Sequence, residues 1–179
     1  NARPDKIPSL RPAFKKDGGT ITAANASSIS DGAAALVLMR ESEAKSRGLT
    51  IQARILAHSS HAQHPSEFTI APCGAIASVL EKSGWQVADV DLWEINEAFA
   101  MVAMLPLMEF GIERDKVNVY GGACALGHPI GATAVYQACE IVQQLTGRAG
   151  PNQLPSPQVG MLQSIGGAAT TVLTHIFGI

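Results

Sequence analysis

The residues with the clearest capacity for chemistry lie in the stretch Gly121-Gly122-Ala123-Cys124-Ala125-Leu126-Gly127-His128-Pro129-Ile130-Gly131-Ala132-Thr133-Ala134. A short apolar segment, Val117-Asn118-Val119-Tyr120, precedes it and reads as a strand. Apolar residues at helical spacing follow it, from Ile130 to Leu145. His128 is therefore expected on a glycine-rich turn, ahead of a helix whose first position Pro129 could fill. A helix start exposes unpaired N–H groups and the positive end of a dipole. That setting suits a neutral imidazole donating a hydrogen bond to developing negative charge. Asn96 follows the apolar run Asp91-Leu92-Trp93-Glu94-Ile95 and precedes a helical stretch from Ala98 to Phe110, ended by Gly111. Both residues thus stand at strand-to-helix junctions, which meet at the carboxyl edge of a sheet, where open α/β folds hold ligands. Asn96 is also a good helix N-cap.

The elements that must position these residues follow from pattern. Residues 1–29 are polar and broken by Pro4, Pro8, Pro12, Gly18 and Gly19, so they read as irregular chain. Arg11, Lys15 and Lys16 could face a phosphate, though a solvated surface is the simpler reading. Ala33–Met39 is a continuous apolar run, as in a strand buried on both faces. Its neighbouring strands are not obvious in this chain, so a companion segment is expected. Ser42 can cap a short helix, Glu43–Arg47, stopped by Gly48. Ile51–Ala57 reads as a strand. A helix from Ala71 to Ser83 has Pro72 early and Gly84 at its end. Gln158–Ser164 and Ala169–Ile176 are apolar runs split by Gly166-Gly167, and read as a hairpin. Strand–helix alternation closed by a hairpin gives an α/β fold with a mixed sheet. His58, His61 and His64 follow a strand and precede Pro65, so their spacing by three assigns no metal site.

The chain has 179 residues, a net charge of −2 and 16% charged residues. That balance argues against a nucleic-acid partner. No apolar run reaches the roughly eighteen residues of a membrane span. Three cysteines without CxxC spacing suggest reduced thiols in an intracellular, cytoplasmic protein. Cys73, Cys124 and Cys139 read as packing residues. The start, Asn1-Ala2-Arg3-Pro4, shows no secretory or transit segment and no initiator Met, as expected of a fragment or a processed half.

The segment Gly-Gly-Ala-x-Ala-Leu-Gly-His-Pro-Ile-Gly-Ala-Thr, ending at Thr133, resembles the signature of the thiolases. Asn96-Glu97-Ala98-Phe99-Ala100 is similar to a second block of that family, and Ser164-Ile165-Gly166-Gly167 falls where a Cys-x-Gly-Gly block belongs. Gly19-Thr20-Ile21-Thr22-Ala23-Ala24-Asn25-Ala26-Ser27 and Ser30-Asp31-Gly32-Ala33-Ala34-Ala35 also resemble thiolase segments. The blocks occur in order across nearly the whole chain. The resemblance implies a layered αβαβα fold of two similar halves, with helices on both faces of mixed sheets. This chain would supply the C-terminal half: 1–29 as the tail of a loop domain, 30–51 as a strand and helix returning to the N-terminal domain, and 52–179 as the C-terminal domain. It implies an acyl-CoA C-acyltransferase that makes or cleaves 3-oxoacyl-CoA, with CoA thioesters and CoA as substrates and no further cofactor or metal. The implied partners are the N-terminal half, which carries the nucleophilic cysteine, and further copies in a homo-oligomer, a dimer or tetramer.

By the same resemblance His128 and Asn96 build an oxyanion hole around a thioester carbonyl, the His donating directly and the Asn orienting a water. Gly166 would lend its N–H to a second hole, where only glycine permits close approach. Phe99 would line the pocket, and Glu97 would support it or be structural. Ser27, with Ala23 and Ala24, matches a loop that touches the pantetheine arm of CoA. Asn96, His128 and Gly166 are expected to converge in one pocket. Ser164 is the departure, because the family has an acid/base cysteine there. A thiol can be tuned toward neutrality, whereas a serine hydroxyl is too weak an acid and a poor base. Gln163-Ser164-Ile165-Gly166 is not Gly-x-Ser-x-Gly, so a hydrolase elbow is rejected. The alternative is a thiolase-like CoA-thioester binder or assembly protein with impaired Claisen chemistry. Ketoacyl synthases use a different set around the nucleophile.

Overall fold

Apolar cores cover both faces of one four-stranded mixed sheet, with a smaller cluster of Ala71, Ala75, Ala169 and Val172 beside them. The computed structural model describes residues 3–179; Asn1 and Ala2, at the head of the 1–29 segment, lie outside the described residues. The strands are Arg54–His61 (β1), Leu92–Ile95 (β2), Val159–Gly166 (β3) and Thr171–Gly178 (β4), in spatial order β1-β4-β3-β2. β3 and β4 form the expected antiparallel hairpin, β1 runs antiparallel to β4, and β2 runs parallel to β3. The helices are Glu41–Ser46 (α1), Ala71–Ser83 (α2), Ala100–Phe110 (α3), Gly122–Leu126 (α4) and Thr133–Leu145 (α5).

Side chains alternate across a strand, and the sequence exploits that. Trp93, Ile95, Met161 and Ile176 pack with Ile76, Val79 and Ala103 of α2 and α3. Leu92, Leu162 and Phe177 pack on the other face with Ala138, Ile141 and Leu145 of α5. Because both faces are covered, all four residues of β2 are buried. Full burial of each large aliphatic such as Ile76, Ile95 or Ile141 contributes roughly 1.5–3 kcal/mol. A Cβ at Gly160 would lie 2.6 Å from Ile141 Cγ2, so α5 seats tightly on β3. α2 starts and stops as expected, with Pro72 in its first turn and Gly84 left-handed at φ 73°.

Several expectations are corrected. Ala33–Met39 forms no strand: the segment has no regular structure, and Val37 is 86% exposed. A strand needs a neighbour for its backbone groups, and among the described residues none lies beside it. Val117–Tyr120 makes only a single bridge, from Val117 to Trp93. Asn118 then turns left-handed at φ 49°. Its carboxamide replaces the missing strand, accepting from Ile95 N at 2.8 Å and donating to Ile95 O at 3.0 Å. β1 starts at Arg54 and continues through the histidines to His61. α1 starts at Glu41, so Ser42 lies inside the helix and Arg40 takes the N-cap position. α3 starts at Ala100 because Phe99 is extended and bridges Ala26.

The three histidines do not converge. His58 stacks on His175 with ring centroids 5.9 Å apart, and the exposed His64 takes the backbone N–H of Ser66. Among the described residues no group of three His, Cys, Asp or Glu is arranged to hold a metal ion. Among them also, no helix is long and apolar enough to cross a membrane.

Candidate active site

Asn96 follows directly on β2 and is 1% exposed. Its backbone N–H donates to Gln163 O at 3.1 Å, which carries the β2–β3 ladder one step further. Asn96 therefore lies beside the residue that precedes Ser164. Both polar atoms of its carboxamide are buried without a partner among the described residues. Asn96 is not a helix cap, since Phe99 holds that position on α3. A buried carboxamide is ordinarily paired with protein or with water, so this one is available to a water or a ligand.

The glycine-rich stretch takes a shape that the sequence pattern does not show. It contains the short helix α4, after which Gly127 at φ 99° redirects the chain into His128. A tight turn, Ile130–Ala132, separates Pro129 from α5, so α5 begins at Thr133 and Pro129 is not its first residue. Gly121 and Gly122, at φ 130° and 63°, supply backbone angles that side-chain-bearing residues rarely adopt. At Gly122 a Cβ would also lie 2.6 Å from Glu97 Oε2. That buried carboxylate oxygen accepts the backbone N–H of Cys124 at 3.0 Å, which ties the Asn96–Phe99 block to the glycine-rich block. Burial, then the Glu97 charge and hydrogen bond, push the Cys124 thiol up to about 12, the setting of an inert packing residue.

Residues 25–30 form a strap across both blocks. Ser27 donates to Ala98 O from its backbone at 3.2 Å and from its hydroxyl at 3.1 Å. Ala100 N donates to Asn25 O at 2.8 Å. His128 N donates to Ser28 O at 2.9 Å, and Ser30 N to His128 O at 3.3 Å. Ser27 is thus held between the Asn96–Phe99 block and His128. Ala23 is exposed on the preceding turn, where Thr22 N donates to Asn25 Oδ1. Phe99 is half-buried; its ring stands edge-on to Phe14 at 5.6 Å and tilted to Phe68 at 5.9 Å. Arg11, Lys15 and Lys16 are exposed.

The His128 ring is half-buried, and its Nδ1 lies 2.7 Å from Thr133 Oγ1, at the first residue of α5. When that hydroxyl donates to Nδ1, the ring proton resides on Nε2, which then points a donor at whatever occupies the site. Burial lowers the His128 pKa, so the ring is neutral near pH 7.

Ser164 is half-buried on β3, in register with Leu173 of β4. By strand alternation it shares the α5 face with Leu162. Gly166 ends the same strand, exposed and paired with Thr171. A Cβ there would lie 3.2 Å from Thr171 O. Asn96 and Ser164 are therefore joined through β3, and Asn96–Phe99 and His128 through the 25–30 strap. The contacts of three residues do not show in the motifs: those of Asn118, of Thr133 at the end of the glycine-rich signature, and of Gln137. The sequence signal on α5 is three polar residues, Thr133, Gln137 and Gln144, on a buried face shared with Ala138, Ile141 and Leu145.

The family model for the thiolase C-terminal domain matches residues 49–173, and that for the thiolase N-terminal domain matches residues 1–42. A probable acetyl-CoA acetyltransferase of Dictyostelium discoideum is 44% identical over 172 residues, 96% of this chain and 40% of that protein. The crystal structure of the Bacillus anthracis acetyl-CoA acetyltransferase superposes with a TM-score of 0.87 at 37% identity, covering 97% of this chain and 42% of that one. Human mitochondrial 3-ketoacyl-CoA thiolase in complex with CoA superposes with a TM-score of 0.86 at 31% identity, covering 99% of this chain and 43% of that one. The chain spans about two fifths of the length of these relatives. The glycine-rich His128 turn, the Asn96–Phe99 block and the mixed α/β sheet thus occur together in a chain that belongs to the thiolase family.

Proposed function

We propose that this chain is the C-terminal portion of a thiolase-type acyl-CoA C-acyltransferase, completed by an N-terminal half that carries the nucleophilic cysteine. Together they would make or cleave 3-oxoacyl-CoA. The observation that carries the proposal is the strap: residues 25–30 hold the Asn96–Phe99 block and His128 in one unit, through Ala98 O, Asn25 O and Ser28 O.

In this reading the neutral His128 donates from Nε2 to the thioester oxygen as an enolate forms. The unpartnered Asn96 carboxamide orients a water toward the same oxygen. Each such donor contributes about 3–4 kcal/mol to the transition state, on the scale of oxyanion-hole substitutions. The Gly166 N–H serves the second hole, at the acyl group on the cysteine. Ser164 occupies the acid/base position. Ser27, Ala23 and Phe99 line the path of the pantetheine arm and the acyl pocket. The CoA held by the human mitochondrial thiolase supports CoA thioesters as the substrate class.

The proposed division is 1–29 as the tail of a loop domain, 30–51 returning to the N-terminal domain, and 52–179 as the C-terminal domain. The exposed Leu36, Val37, Leu38 and Met39 support a companion half that covers them. A homo-oligomer, dimer or tetramer, and a cytoplasmic setting complete the proposal; the free thiols of Cys73, Cys124 and Cys139 suit such a compartment. The comparisons do not support the alternative of a thiolase-like CoA-thioester-binding or assembly protein with impaired Claisen chemistry.

The test is acyl transfer by the complete protein, followed as loss or gain of acetoacetyl-CoA. His128→Ala should lower kcat by about 10²–10³-fold. A folded complete protein that neither forms nor cleaves any 3-oxoacyl-CoA would remove the proposal.

A further inference from the structure

We propose that Gln137 is a positioning residue that fixes the Asn96–Ser164 side of the site relative to His128; this rests on the acyltransferase reading above. Gln137 is 2% exposed, on the face of α5 that packs against the sheet. Its Nε2 donates to Gln163 O at 3.3 Å. The same oxygen accepts the backbone N–H of Asn96 at 3.1 Å. One carbonyl thus holds the peptide that carries Ser164 and the backbone that carries Asn96.

Thr133 stands four residues earlier on α5, on the same helix face, and is fully buried. Its hydroxyl holds His128 Nδ1 at 2.7 Å. Successive turns of one helix, about 6 Å apart along its axis, therefore grip the two sides of the site. The close seating of Ile141 on Gly160 leaves α5 little room to slide.

Packing alone does not account for a glutamine here. Gln137 Oε1 is buried with no partner among the described residues. An unpaired buried acceptor costs stability, and an apolar side chain of similar shape would avoid that cost. The donor is the part of the side chain that the structure uses.

The experiment employs the complete protein, this chain with its N-terminal half, and two variants. Gln137→Met keeps the volume and removes the donor. It should fold with an unfolding temperature no lower than that of the wild type and keep KM for the CoA thioester within about twofold. Its kcat should fall by up to about 10²-fold, the scale of a 1 Å misplacement. In Gln137→Glu a carboxylate faces the Gln163 carbonyl, so kcat should be low at alkaline pH. It should recover relative to wild type as the pH falls toward the raised pKa of a buried carboxyl, since the protonated acid restores a donor. A buried carboxylate also lowers stability at alkaline pH, so kcat is compared only at pH values where Gln137→Glu remains folded by circular dichroism. A kcat there equal to wild type overturns the proposal. An unchanged kcat in Gln137→Met overturns the proposal. If the wild type itself shows no acyl transfer, the acyltransferase reading fails, and the clamp is judged from the carbonyl-carbon resonance of Gln163. That resonance must move in Gln137→Met if the clamp exists; a fixed resonance overturns it.

Discussion

His128 and Thr133 are joined by a 2.7 Å hydrogen bond between Nδ1 and the hydroxyl, which orients the ring. When the hydroxyl donates to Nδ1, the proton stays on Nε2, the atom that the proposed mechanism uses as its donor. Thr133→Val removes this partner while nearly preserving shape. The complete protein should then lose about 10-fold or more in kcat, the low end of the range for oriented donors and acids, with little change in KM. Steady-state kinetics of the single variant decide the point; an unaltered kcat would show that the ring needs no orienting partner.

Protonation of His128 gives a second expectation. Burial lowers its pKa, so the folded protein resists a proton that the unfolded chain accepts near the ordinary imidazole value of about 6.5. Stability should therefore fall as the pH drops below that value, because the unfolded state binds more protons there. His175, lowered by burial and by the facing His58, adds to the same trend. Activity should fall in the same direction, since the proposed mechanism uses the neutral ring; protonation reverses the Thr133 bond, with Nδ1–H donating to the hydroxyl oxygen. Chemical denaturation from pH 7 to 5 would show a flat profile if neither histidine is perturbed.

Glu94 reverses the sign. Burial, then the charges of Glu140 and Glu97, raise its carboxyl to about 8. The folded state then binds a proton more tightly than the unfolded chain, so this contribution is present at low pH and is lost as the pH rises from about 4.5 to 8. Glu94→Gln removes the titration. Its Tm at pH 8 should exceed that of the wild type, by about 2–4 °C for each kcal/mol relieved, and the gap should close toward pH 5. Parallel melts at the two pH values test this; an equal offset at both would assign the effect to packing.

The exposed run at Leu36–Met39 predicts where a companion half docks. Val37 and Leu38 are 86% and 70% exposed. Contiguous apolar exposure of this kind marks an interaction surface. Val37→Glu should weaken association with the N-terminal half by at least about 10-fold, because a charge would be buried without a partner. Calorimetric titration of the two halves measures it; unchanged affinity would place the interface elsewhere.

The hairpin of β3 and β4, the ends of α2 and the α/β class are legible in the sequence because local signals agree with the final packing. Gly84 and Gly111 both stop helices in the left-handed conformation, and the apolar alternation of β3 faces two real cores. The failures have physical causes. Ala33–Met39 has strand composition, but a strand needs a neighbour that the described residues do not provide. Val117–Tyr120 looks like a strand until Asn118, whose left-handed backbone and paired carboxamide end the ladder. The glycines around His128 read as a turn, yet an apolar turn of helix, Gly122–Leu126, fits between them. Asn96, His128 and Ser164 stand out by motif; the contacts of Thr133, at the end of the signature, and of Gln137 do not, because they depend on how α5 meets His128 and β3.

Ser164 yields the most discriminating prediction. It sits half-buried on β3, one residue after the carbonyl held by Asn96 and Gln137. In the proposed mechanism, acylation of the companion half's cysteine would use the oxyanion donors and would not need a base at this position. Removing the α-proton of acetyl-CoA does need one, with a pKa near neutrality, and a serine hydroxyl is far from that range. Cys124 does not substitute for it, because its thiol is pushed up to about 12 and its backbone is bound to Glu97. CoA thioesters should therefore still bind and acylate the complete protein, while the Claisen step limits turnover. Ser164→Cys should raise condensation or thiolysis by about 10²-fold or more, the usual scale of a general acid/base, and leave acyl-enzyme formation almost unchanged. Single-turnover acylation and steady-state condensation, measured side by side, separate the two steps. If the serine protein already condenses acetyl-CoA as fast as the cysteine variant, a different group supplies the base, and the assignment of the acid/base role to position 164 is lost.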